Sequence, residues 1–282
     1  MRTRRGRWVA RFRAFQHYGL ALLLLGVVCF PLYWMSVTSL KPQQEVFQVP
    51  PSWIPRTWTL RNYNDLLTLT DFARLFFNSV KVGLFSTVLS LVVGTLGAFA
   101  LARFSFRGKE LFGGSVLLAY MFPGALLAIP LVMLFARLRL SNSHTGLTLS
   151  YMTFAVPFIM WVLRGFFRAI PRDYEEAAMI DGASRWGAFV RVVLPQAMPG
   201  IIATGIFAFI FAWNEYLFAL LLISDESLRT LPPGLMRFLS ATDVNWGLMM
   251  AASVLVTLPM ALVFGFIQRH LVTGIGAGGV KG

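Results

Sequence analysis

Long apolar runs separated by short polar stretches dominate this chain. A membrane-crossing helix needs about 20 consecutive apolar residues. Runs of that length occupy about 18–40, 77–102, 111–136, 146–168, 198–223 and 247–268. The pattern predicts an all-α membrane protein with six transmembrane helices and no room for a sizeable soluble domain. Pro123, Pro130, Pro157 and Pro259 fall inside the predicted third, fourth and sixth spans. Each removes a backbone hydrogen bond, which lipid tolerates only where protein or a wet cavity re-satisfies the freed carbonyl.

Composition agrees: 57% of residues are hydrophobic and 13% charged, against about a quarter charged in soluble domains. The net charge of +13 is distributed as a topology signal rather than a nucleic-acid footprint. Arg2, Arg4, Arg5, Arg7, Arg11 and Arg13 precede the first run, and further basic residues cluster at 103–110 and 164–197. Segments on the amino-terminal side carry twice the Lys and Arg of those opposite, the bias that places basic loops in the cytoplasm. Both termini are therefore expected in the cytoplasm.

The first run is too long for a signal-peptide core and lacks a small-residue cleavage site, so it is expected to be retained. Cys29 is the single cysteine, which excludes a disulfide framework, and His17, His144 and His270 are scattered too widely to suggest a metal site. Three regions are expected: a basic tail at 1–17, with Trp8, Phe12 and Phe15 on an interfacial helix; the six-span body at 18–272; and a glycine-rich cytoplasmic tail at 273–282. The string Gly-Ile-Gly-Ala-Gly-Gly in that tail is no dinucleotide fingerprint, because neither a strand nor a helix start frames it.

The most informative polar stretch is 171–197. Pro171-Arg172-Asp173-Tyr174-Glu175-Glu176 reads as a helix start, with Asp173 as cap and Glu176 three residues on. Ala177, Ala178 and Ile180 give a smooth helix of about two turns, roughly 12 Å long, and Gly182 is its expected left-handed stop. Ser184 is expected to cap a second helix carrying Trp186, Phe189, Val190 and Val193. Pro195 is expected to end that helix, with Pro199 opening the fifth span. The whole pattern runs Glu176-Ala177-Ala178, Asp181-Gly182, nine residues, then Val192-Val193-Leu194-Pro195. A bare Glu-Ala-Ala string would mark only a connecting helix. The full spacing before the penultimate span is far more specific.

With this motif the chain resembles the membrane-spanning subunits of ATP-binding-cassette (ABC) importers, the MetI-like permease bundles. Their cytoplasmic "EAA" loop docks on an ATPase, and Val192 stands where Ile is usual. Thr230-Leu231-Pro232-Pro233-Gly234-Leu235, the segment 245–252 and Phe211 to Leu220 resemble the carbohydrate branch, closest to maltose-type (MalG-like) permeases. The resemblance implies ATPase coupling through Glu175, Glu176, Ala177, Ala178, Asp181, Gly182, Val192, Leu194 and Pro195. It also implies a second, MalF-like permease, two copies of a cytoplasmic ABC ATPase, an extracytoplasmic sugar-binding protein, and a prokaryotic inner-membrane location. This chain would hold no catalytic residue, metal or cofactor; ATP and Mg would bind the ATPase subunits.

Trp213, Asn214 and Glu215 are candidates for the sugar pathway, with Glu215 the only acidic residue in a predicted span. A charge at mid-bilayer costs about 2.5–3.5 kcal/mol and faces protein or water. Glu215 could equally fix packing by bonding another helix. The machinery also suits a glycerol phosphate ester or polyol. An ion-coupled carrier would need several buried ionisable residues, and an intramembrane enzyme would need a His-Glu-x-x-His, aspartate-pair or Ser/His arrangement that the sequence lacks.

Overall fold

The computed structural model describes the backbone of residues 4–239 and 245–278, and the side chains of 16–236 and 245–265. Thirteen α-helices follow in order among the described residues: α1 Arg4–Ser39, α2 Gln43–Val46, α3 Arg61–Leu69, α4 Phe72–Arg103, α5 Lys109–Met121, α6 Gly124–Arg137, α7 His144–Ala169, α8 Asp173–Ile180, α9 Arg185–Ala188, α10 Leu194–Asn214, α11 Leu217–Leu222, α12 Leu231–Leu239 and α13 Trp246–Gly278. A π-helical turn at Phe189–Val193 joins α9 to α10.

Among the described residues, five helical stretches are long and apolar enough to cross a membrane: Gln16–Ser39, Phe72–Arg103, His144–Ala169, Arg185–Asn214 and Trp246–Gly265. The expected span at 111–136 is instead two half-helices, α5 and α6, meeting at 102°. The cause is local. Proline drives the residue before it out of the helical region, and Phe122 is extended (φ −73°, ψ 129°) ahead of Pro123. Pro130, Pro157 and Pro259 remain inside their helices.

The fifth span also departs from the expected 198–223. It starts at Arg185, runs without interruption to Asn214, and breaks before α11. Pro195 therefore does not end a helix. The wider π turn sits immediately before it, and such turns re-space backbone bonding where a proline would collide with the preceding carbonyl. The glycine-rich end is helical through Gly278, so the expected tail boundary at 273 is not a helix end. Residues 279–282, and the side chains of Trp8, Phe12 and Phe15, lie outside the described residues.

The chain divides into two compact units. One comprises Met1–Asp71 with Ser240–Leu258, the other Phe72–Leu239 with Pro259–Gly282. In the first, α1 would end on unpaired carbonyls. Asn62 of α3 closes it, its side-chain amide donating to the Ser39 and Lys41 carbonyls, each at 2.8 Å. Glu45 organises the loop beyond. It accepts from the Ser52 hydroxyl at 2.6 Å and from the backbone N–H groups of Arg56 at 2.9 Å and Thr57 at 3.4 Å.

The Ser52 hydroxyl and then the Arg56 N–H hold the Glu45 carboxyl below the usual carboxylate range. A depressed pKa stabilises the fold at pH above the unfolded value of about 4.3. That contribution disappears as pH falls through the lower folded value. Proteolysis between Lys41 and Leu60 should therefore accelerate on acidification below about pH 4. In Glu45→Gln it should be fast at neutral pH and insensitive to that change.

The second unit is built on α4, α7 and α10, which pack closely because small residues face large ones. A Cβ at Gly94 of α4 would lie 2.5 Å from the Ile159 side chain of α7. Ala98, Leu163, Phe167, Phe189, Val193 and Ala197 form one continuous core there. That core joins the spans to the start of the 171–197 loop's second helix.

Candidate functional site: coupling loop and aromatic cavity

The loop after α7 folds as helix, glycine stop, helix. Arg172, itself helical in conformation, stands at the N-cap of α8 without a side-chain cap bond, and Asp173 is the first helical residue. Asp173 is therefore not the cap. Together with Glu175 and Glu176 it places three carboxylates in the first turn, where the helix dipole favours them. Gly182 has φ 89°. Its N–H bonds the Met179 carbonyl at 3.1 Å, and the Ala183 N–H bonds Ala178 at 2.9 Å, the paired closure of a Schellman end. Ser184 caps α9 as expected, accepting from the Gly187 N–H at 3.1 Å.

No residue of α8 is buried. Glu176, Ala177, Asp181 and Gly182 are exposed, and Ala178 is half-buried. Ile180 is 86% exposed and Tyr174 54%, an apolar presence on a polar loop. Glu175 points the other way. Its carboxylate pairs with the Arg103 guanidinium at the end of α4, with side chains only 15% and 7% exposed respectively. Arg103 also donates to the Ile170 carbonyl at 2.9 Å, and Arg172 donates to the Arg103 carbonyl at 3.2 Å. Glu175, expected on the ATPase-facing side, is thus a tie between α8 and α4. Sequence reasoning gave Arg103 no partner; its only signal was a basic residue ending a span.

Val192 and Leu194 are half-buried and Pro195 is exposed. All three lie on the π turn and the start of α10, so they continue the loop into the fifth span rather than extend the face of α8. A second tie holds α5 to α7: Arg164, 7% exposed, reaches Glu110 at 2.8 Å, and Arg168 reaches it at 3.5 Å.

The pathway candidates separate as well. Trp213 is 2% exposed and packed between Phe76 and Phe209, with ring centroids 5.6 Å from each. Asn214 is exposed and donates back to the Ile210 carbonyl at 2.8 Å. Glu215 lines a cavity. The α10 helix ends beside it, leaving Glu215 extended (φ −70°, ψ 122°). Its carboxylate accepts from the N–H groups of Phe218 at 2.9 Å and Ala219 at 3.1 Å. A carboxylate at the start of a half-helix meets unpaired N–H groups and the positive end of the dipole, which offsets the cost of placing it there.

The cavity measures 490 Å³ and is walled by Tyr120, Phe122, Phe154, Phe207, Phe211 and Phe218, with Glu215 the only charged lining residue among those described. The breaks at Phe122–Pro123 and at Glu215 both open on it. No group of His, Cys, Asp and Glu able to hold a metal occurs among the described residues.

This helical bundle, with an exposed helix–glycine–helix loop before its penultimate span, has the form of a transporter's membrane subunit. Residues 90–276 match the family described as "Binding-protein-dependent transport system inner membrane component", and the chain belongs to that family. It is 38% identical over 266 residues to the inner membrane ABC transporter permease protein YcjP of Escherichia coli, covering 94% of this chain and 95% of that one. It is 39% identical over 261 residues to the diacetylchitobiose uptake system permease protein DasC of Streptomyces coelicolor, covering 93% and 94%. The fold superposes with TM-score 0.81 on a chain of a bacterial ABC transporter involved in import of the acidic polysaccharide alginate, at 22% identity and 95% and 98% coverage. The chain is a multi-pass inner-membrane permease subunit of an ABC importer, without catalytic function of its own.

Proposed function

We propose that this permease imports a sugar of the oligosaccharide type, together with a second, MalF-like permease. Two cytoplasmic ABC ATPases, which alone bind ATP and Mg, would drive it, and an extracytoplasmic sugar-binding protein would deliver the solute. The observation that carries the cargo reading is the aromatic cavity at two broken spans with Glu215 in its wall. Discontinuous spans are where transporters place solute sites. Aromatic rings offer flat faces to the C–H surfaces of a sugar ring, and a carboxylate accepts from its hydroxyls. A cavity whose only charged lining group is a carboxylate disfavours an anionic cargo such as a glycerol phosphate ester. The similarity to a diacetylchitobiose permease supports the same reading.

In this account both termini and the 171–197 loop are cytoplasmic. Glu176, Ala177, Ala178, Asp181 and Gly182 form the surface that the ATPase grips. ATP can shift the inward–outward equilibrium only through its different affinity for the two states, and α8 is where the membrane part feels that difference. The cargo assignment is tested at Glu215. Glu215→Gln keeps the shape and halves the accepting power, so the KM for sugar uptake should rise by about tenfold, the value of a charge-assisted hydrogen bond. Folded yield should fall only modestly, because one of the two N–H groups at the start of α11 keeps its acceptor. Loss of yield with an unaltered KM would make Glu215 a packing residue.

A further inference from the structure

A second cavity, within the unit made of Met1–Asp71 and Ser240–Leu258, is unaccounted for by coupling or by the aromatic cavity. It measures 260 Å³ and is lined by Trp34 and Thr38 of α1, by Lys41 just beyond that helix, by Phe47, and by Trp246 and Met250 of α13. Residues four apart on a helix share a face, so Trp34 with Thr38, and Trp246 with Met250, present aligned pairs from two helices.

Two polar groups there are buried with hydrogen-bonding capacity unspent. The Thr38 residue is 5% exposed, and its hydroxyl has no hydrogen-bond partner. A helical threonine ordinarily turns back to the carbonyl four residues before it; this one does not. Lys41 is 2% exposed. Its ammonium donates to the Ser52 carbonyl and lies 4.9 Å from the centre of the Trp34 ring. An ammonium has three donors, and that carbonyl takes one. The nearby Glu45 carboxylate already accepts from Ser52, Arg56 and Thr57.

Buried polar groups left unpaired cost stability. A pocket that holds one such hydroxyl, Thr38, and an ammonium with a single hydrogen-bond acceptor between indole walls has the donors and the flat apolar faces that a sugar ring matches with its hydroxyls and C–H surfaces. At 260 Å³ it falls just below the roughly 300–1,000 Å³ of sites for drug-sized ligands, which suits one ring rather than a chain. Counted from a cytoplasmic amino terminus, the end of α1 is extracytoplasmic, the side on which solute arrives.

We propose that this cavity is a carbohydrate subsite: one sugar ring lies against Trp34 and Trp246 while its hydroxyls bond Lys41 and Thr38. This rests on the reading of the protein as a sugar permease. The test uses the complete transporter with its binding protein in proteoliposomes, with radiolabelled maltose, trehalose and diacetylchitobiose as probes. Thr38→Val preserves shape and deletes only the hydroxyl. The KM for the transported sugar should rise about fivefold, the value of one neutral hydrogen bond, with kcat little changed. Thr38→Ser should restore it.

The melting temperature separates the roles. A site residue lets Thr38→Val hold or gain stability while KM worsens, because an unpaired buried hydroxyl has been removed. An unchanged KM with raised stability would mean Thr38 only packs, and would overturn the subsite. Uptake of none of the three probes by the unaltered transporter would overturn the sugar reading itself, and this subsite with it.

Discussion

ATP-driven uptake will fall at least about tenfold in Arg103→Glu, and the double variant Arg103→Glu/Glu175→Arg will recover a substantial part of it. Two nearly buried side chains make this pair, and removing one partner of such a pair costs about 3–5 kcal/mol because the other is left uncompensated. In the proposed coupling the loss falls where force would pass. Arg103 ends α4, and α4 packs along α7 and α10 through the core that contains Ala98, Phe167 and Phe189. With Glu175, the Ile170 carbonyl and the Arg172 guanidinium all meeting Arg103, a displacement of α8 carries the end of α4 with it. Without the tie, α8 can move alone. ATP hydrolysis should then continue while solute movement per ATP collapses, a change that a purely structural defect would not produce. Restoration in the double variant will be incomplete, because Glu at 103 cannot donate to the Ile170 carbonyl. Equal ratios of uptake to hydrolysis in the single variants and the parent would remove the tie from the mechanism.

The second large effect is expected on the exposed side of the same helix. Gly182→Arg and Glu176→Lys should each uncouple hydrolysis from transport without blocking membrane insertion. At Gly182 the fault lies in the backbone: φ is 89°, and a Cβ there would meet nothing within 4 Å. A residue with a side chain pays about 1–2 kcal/mol for that left-handed conformation. It will therefore loosen the closure that fixes where α8 ends, besides placing bulk on the face proposed to meet the ATPase. Glu176→Lys leaves the fold alone, since the side chain is exposed, and reverses the charge presented to a partner. Parental transport rates in both, with ATPase retained on purification, would refute the assignment of this face.

The spans were legible because lipid demands uninterrupted apolar length, and sequence displays that directly. The break in the third was not. Pro123 and Pro130 stand in one apolar run and look alike in sequence, yet the helix is interrupted before Pro123, with Phe122 turned extended, and continues through Pro130. The coupling loop's glycine stop and its Ser184 cap followed from local chemistry, because such devices act within a few residues. The roles of Glu175 and Glu176 could not be separated that way. They are neighbours in sequence but about 100° apart around the helix, and only the position of Arg103, 72 residues earlier, decides which of them faces inward. Trp213, Asn214 and Glu215 show the same limit. Three adjacent polar or aromatic residues read as one cluster, while the end of α10 leaves one buried, one exposed and one lining a cavity.

The most direct test of the account is site-specific crosslinking from α8 during turnover. Single cysteines at Ala177 and Asp181, both exposed, would be introduced into a variant in which Cys29 is replaced by Ser, and assembled with the ATPase subunits. The account predicts that both positions crosslink to the ATPase in the resting and ATP-bound states, that a crosslink at Ala177 halts uptake, and that a cysteine in place of Leu111 on α5 does not link. An α8 that stays free of the ATPase and fully reactive toward water-soluble thiol reagents throughout the cycle would contradict it.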